Sequence, residues 1–144
     1  MEFGRLERQV QKDPPYAYAN QADHLMVDDQ SKALRFYTEV LGFKKKHDIP
    51  VGEYRWITVT GDGRDDLGLA LEPNANPAGK AFQEAMFAQG IPVAAFEVTD
   101  IRAEFTRLTS KGVAFTRDPT SAGPVTIAVF SDTCGNLIQL HQPN

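Results

Sequence analysis

The feature that most constrains this chain is an internal repeat. An alternating strand, ADHLMV (22–27), runs into Asp28-Asp29 and then SKALRFYTEVL. There Ala33, Leu34, Phe36, Tyr37, Val40 and Leu41 recur at helical spacing. The aspartates suit a helix start and Gly42 a helix stop. Three strands follow: FKKKHDI (43–49), EYRWITVT (53–60) and DLGLALE (66–72). The order then recurs. PVAAFEV (92–98) meets Thr99-Asp100, and IRAEFTRLTSK turns Ile101, Phe105 and Leu108 to one face before Gly112. VAFTR (113–117), PVTIAVF (124–130) and NLIQLHQ (136–142) complete it. Val27 and Val98, each ending a first strand, are 71 residues apart, and Gly42 and Gly112 are 70 apart. A repeat of this period means two copies of one supersecondary unit sharing a core. The expected fold class is α+β: two tandem βαβββ modules in one domain over 20–144. Module one is 20–73, a linker helix with Phe82, Met86 and Phe87 spans 74–91, and module two is 92–144. The polar segment 1–19, broken by Pro14-Pro15, reads as an arm outside the fold.

A chain of 144 residues suffices for one such domain. The net charge of −4, with scattered lysines and arginines, argues against a nucleic-acid surface. No stretch approaches the roughly 18 apolar residues of a membrane span. The start lacks a basic-then-apolar secretory layout, so a cytoplasmic location is expected. Cys134 is the single cysteine, which rules out an internal disulfide or a thiolate metal cluster. What remains is a protein that handles a small molecule or binds another protein.

Period-two alternation divides each strand into two faces. Leu25, Val27, Ile57, Val59, Leu67, Leu69 and Leu71 are expected beneath the first helix. Ala94, Phe96, Val98, Ile127, Val129, Ile138 and Leu140 are expected beneath the second. The opposite faces then carry Ala22, His24, Met26, Tyr54, Trp56, Thr58, Gly68, Ala70 and Glu72 in module one. In module two they carry Val93, Ala95, Glu97, Thr126, Ala128, Phe130, Gln139 and His141. From these we select His24, Trp56, Glu72, Glu97, Phe130, Gln139 and His141 as ligand-binding candidates. The two aromatics offer stacking surfaces and the others offer polar contacts. Glu72 and Glu97 are the candidate general bases. His47, after three lysines, reads as surface, and GDGRDD (61–66) as a hairpin turn. Cys134 has no activating cation nearby in sequence. Phe82, Met86 and Phe87 are expected to pack under the linker, the alternatives being a lid over the cup or a dimer interface.

The repeat, together with FYTEVLGF (36–43) closing the first helix and CGNLIQL (134–140) opening the last strand, resembles the vicinal oxygen chelate superfamily. That group contains glyoxalase I, extradiol dioxygenases, and the bleomycin and fosfomycin resistance proteins. The resemblance spans about residues 20–142. It implies modules that pair, often through dimerisation, so that their sheets curl into a cup. Enzymatic members hold a divalent metal with four side chains, one from the first and one from the fourth strand of each module. Counted onto this chain, those positions hold Ala22, Gly68, Val93 and Gln139. Three offer no lone pair, and a lone amide is a weak ligand. The expectation is therefore a homodimeric, small-molecule-binding protein of the glyoxalase/bleomycin-resistance type, without metal or other cofactor. The alternative is a metal-dependent lyase, isomerase or dioxygenase with its divalent ion relocated near His24, Glu72, Glu97 and His141. A metal-free enzyme using Glu72, Glu97 or a histidine as base is a third reading, so catalysis stays open.

Overall fold

The computed structural model describes residues 22–61, 63 and 68–144. The expected arm, Leu67 and most of the 61–66 turn lie outside them. Module one runs β1 (Ala22–Val27), α1 (Gln30–Arg35) continuing as a π turn (Phe36–Val40), β2 (Lys44–Val51), β3 (Tyr54–Thr60) and β4 (Gly68–Pro73). After α2 (Pro77–Ala88), module two runs β5 (Ala94–Glu97), α3 (Ile101–Ser110), β6 (Phe115–Ala122), β7 (Val125–Ser131) and β8 (Leu137–Pro143). Each module builds one four-stranded sheet, ordered β1-β4-β3-β2 and β5-β8-β7-β6. The first strand lies parallel to the last and the remaining pairs are antiparallel. The tandem βαβββ reading holds.

Local chemistry fixes both helices. Asp29 caps α1 through the Lys32 amide and Asp100 caps α3 through the Ala103 amide, each at 3.0 Å. The Lys32 amide also holds the Asp29 carboxyl below its ordinary range. Gly42 and Gly112 follow the helices at φ +93° and +86°, conformations that a Cβ disfavours. Gln30 then pins the start of α1 to its sheet. Its amide donates to the Arg55 and Leu71 carbonyls at 2.6 and 2.8 Å and accepts from the Arg55 amide.

One apolar cluster joins the two modules. It takes Leu25, Ile57 and Leu71 from the first sheet, Phe36 and Tyr37 from α1, Leu108 from α3, and Phe130, Ile138 and Leu140 from the second sheet. The Phe36 ring meets that of Phe130 at 6.3 Å, and Phe43 meets Phe96 at 5.2 Å. The first helix thus packs against both sheets.

Phe130 corrects the sequence expectation. It pairs across the ladder with Ile138, and Ala128 pairs with Leu140. Cross-strand partners share a face, so Ala128 and Phe130 point into the core and Phe130 is 0% exposed. Ile127 and Val129, opposite His141 and Gln139, take the other face. Most of PVTIAVF is apolar on both sides, so alternation cannot orient it and pairing does. The linker is corrected too. Phe82 and Phe87 are exposed and Met86 is half-buried, while the buried residue of α2 is Gln83.

Polar contacts complete the junction. Gln83 donates to the Met26 carbonyl of module one and to the Cys134 carbonyl and Asn136 side chain of module two. Arg107 of α3 donates to the Val40 and Leu41 carbonyls at the end of the first helix. At the centre lies Asp132, fully buried. Tyr37 Oη donates to its Oδ2 at 2.8 Å.

Candidate functional site

The face of sheet one turned away from the helices can be read row by row. Ala22 and Gly68 pair in one row, continued by Thr60. His24, Ala70, Thr58 and His47 form the next, and Met26 with Glu72 and Trp56 with Ile49 lie beyond. Small residues occupy the middle of this face and rings stand around them. His24 Nδ1 lies 2.7 Å from Glu72 Oε2, and its ring lies 6.3 Å from that of Trp56. The pair is accessible, with the His24 side chain 58% exposed. His24, Trp56 and Glu72 are therefore brought together, as the alternation predicted.

His47 shares this face from the opposite edge strand, which its place after three lysines does not reveal. Lys45 pairs with Val59, but His47 pairs with Thr58, because β2 carries a bulge between those residues. A bulge flips the side to which following residues point. His47 accordingly sits half-buried on the outer face, its Nδ1 2.7 Å from the Thr58 hydroxyl. Asp48 falls back to the helix side, where Arg55 binds it through both carboxylate oxygens and holds its carboxyl below the ordinary range.

On sheet two the outer face carries Ala95 opposite Gln139 and Glu97 opposite His141. His141 Nε2 is 3.7 Å from Glu97 Oε1, a loose pair whose carboxylate is 66% exposed. Gln139 and His141 share a wall with Ile127 and Val129 rather than with Phe130. Among the described residues no three His, Cys, Asp or Glu side chains come together. The His24–Glu72 and Glu97–His141 pairs remain on separate sheets, so a single chain does not assemble the relocated four-residue ion site.

Register also revises the metal positions implied by the resemblance. His24 and Ala95 each lie three residues before Val27 and Val98, and they pair with Ala70 and Gln139. The counterpart of Gln139 is therefore Ala70, not Gly68. The four positions become Ala22, Ala70, Val93 and Gln139: two methyls, an isopropyl and an amide. Hard divalent cations need several oxygen donors, and zinc needs nitrogen or thiolate donors. This set does not fit the metal.

A cleft of about 970 Å3 opens between the modules. Phe43, Leu69, Phe96 and Leu140 wall it, and Asp100 and Glu104 lie at its edge. It lies largely on the helix side of the sheets and meets the outer face at Gly68, Ala95 and Glu97. This cleft and most of the polar side chains of the outer faces thus occupy different sides of the sheets.

Cys134 is buried at the module junction, and burial pushes its thiol up to about 12. The thiolate is the reactive form. We expect iodoacetamide at pH 8 to leave the folded chain unlabelled and to alkylate it fully in denaturant, as read by intact mass. Rapid native labelling would show that this junction opens.

Residues 18–140 match the family model for the glyoxalase/bleomycin resistance protein/dioxygenase superfamily. YurT of Bacillus subtilis (strain 168) is 56% identical over 119 residues, covering 82% of this chain and 94% of that protein. The crystal structure of UcmS2 superposes with a TM-score of 0.76 at 31% identity, covering 86% of this chain and 97% of its own. TnmS3, an antibiotic binding protein from Streptomyces sp. CB03234, gives 0.71 at 30%, covering 88% and 97%. Repeat, sheet order, family match and relatives agree: this chain belongs to the glyoxalase/bleomycin resistance protein/dioxygenase superfamily.

Proposed function

We propose that the protein is a binding protein for a small amphipathic molecule, acting without the metal of the enzymatic members. The observation that carries this reading is the pair of contrasting inventories on the outer faces. The four metal positions hold Ala22, Ala70, Val93 and Gln139, while Trp56, His24 and Glu72 stand on the same face as the two of sheet one. A ring stacks on Trp56, and a cationic group is drawn to Glu72 or Glu97. The antibiotic binding protein TnmS3, 30% identical over most of the chain, supports a ligand of drug-like size.

Homodimerisation in the cytoplasm belongs to the same proposal. The helices join the two sheets through one core, so the outer faces of one chain look away from each other. A second copy brings sheet one of one chain over sheet two of the other and encloses the ligand. One geometry favours the catalytic alternative: Glu72 holds His24 as a carboxylate orients an imidazole base.

Two measurements test the binding reading. Elemental analysis of the purified dimer is expected to find far less than one divalent ion per chain. Stoichiometric zinc, nickel, iron or manganese lost on His24→Ala or His141→Ala would restore the metal enzyme. Trp56 is the chain's sole tryptophan, and its fluorescence should respond to a panel of cationic aromatic compounds equally with and without EDTA. Silence across the panel overturns the proposal.

A further inference from the structure

The bulge in β2 carries an inference about what the ligand looks like. In a regular ladder continuing from the Lys45–Val59 pair, His47 would face Ile57 and point under α1. The bulge instead sets it opposite Thr58 on the outer face. Bulges interrupt strand pairing and are concentrated where a side chain must be re-aimed, next to binding and active sites. Here the result is a row in which His24 and His47 stand at opposite ends of four strands. Their backbones are about 14 Å apart, three strand spacings of about 4.8 Å. Only the Ala70 methyl and the Thr58 hydroxyl lie between them.

Both imidazoles are held from behind. Glu72 Oε2 takes Nδ1 of His24, and the Thr58 hydroxyl takes Nδ1 of His47, each at 2.7 Å. With Nδ1 held in each, Nε2 is the ring nitrogen that each imidazole offers to a ligand. Trp56, opposite Ile49 in the adjacent row, supplies a flat surface between the two ends.

We propose that His47 is the second polar contact of the ligand. The ligand is then a flat, elongated molecule with a hydrogen-bonding group at each end, one met by His24 and the other by His47, its body over Trp56. This rests on the reading of the outer face of sheet one as the ligand face.

The full chain is titrated with para,para′-biphenol, which carries a hydroxyl at each end, and with para-phenylphenol, which carries one; Trp56 fluorescence is the readout. Biphenol is expected to bind about tenfold more tightly, the worth of one further hydrogen bond. His47→Ala should reduce biphenol to the affinity of phenylphenol, and His47→Gln, which keeps a polar group at that reach, should recover part of the loss. Unchanged melting temperatures show that the variants fold. If both probes quench Trp56 with equal affinity, or His47→Ala leaves biphenol unaffected, the role of His47 is overturned while the ligand face stands. If neither probe moves Trp56, the two-ended reading falls, and the ligand face falls with it only when the cationic panel is silent too.

Discussion

Asp132→Ala is expected to lower the unfolding free energy by about 4 kcal/mol. The carboxylate is fully buried and receives four hydrogen bonds. Tyr37 Oη and Asn136 Nδ2 donate to Oδ2, and the Cys134 and Asn136 amides donate to Oδ1, at 2.8 to 3.0 Å. Removing it leaves those buried donors without their acceptor. Asp132→Asn should cost about half as much, because one oxygen still serves the two amides while its NH2 meets the donors of Tyr37 and Asn136. Urea titration checks both; a loss below about 1 kcal/mol for the alanine variant would contradict the network.

Tyr37 adds a dependence on pH. Burial first, then the negative Asp132, drives its phenol well above the ordinary tyrosine value. The folded state therefore keeps a proton that the unfolded chain releases above about pH 10. The contribution is full below that pH and is lost as pH rises beyond it. Tyr37→Phe should flatten this alkaline decline while lowering stability at neutral pH.

Gln83→Leu is expected to cost about 2 to 3 kcal/mol by loosening the linker from both modules. Which groups are left without a partner decides the size. The Met26 carbonyl still accepts from Asn136, and the Cys134 carbonyl still accepts from the Asp28 amide. Asn136 Oδ1 and Asn74 Nδ2 lose the partner that Gln83 provided. Leucine has a similar volume, so the loss measures polarity rather than a cavity. A urea midpoint unchanged from the parent would mean that α2 contributes nothing to holding the modules together.

Much of the architecture was legible because it depends on local chemistry. Asp29 and Asp100 cap helices, Gly42 and Gly112 stop them, and the 70- to 71-residue offsets mark the repeat. Alternation oriented β1, β3, β4, β5 and β8 correctly, since one face of each is markedly more apolar than the other. That placed His24, Trp56, Glu72, Glu97, Gln139 and His141 on the outer faces. It failed on β7, where Ile127 and Phe130 are both apolar and only pairing with β8 tells them apart.

By itself, then, the sequence determined two βαβββ units and most of what each sheet shows to its two sides. Tertiary structure alone decided the side taken by His47, the placing of Phe130 in the core, the equivalence of Ala70 with Gln139, and the burial of Asp132 and Gln83. Periodicity reports a contrast between neighbours along one strand. Bulges, register and the partners of a buried polar group are set by residues from β1 and α1 through to β8, brought together only when the chain has folded.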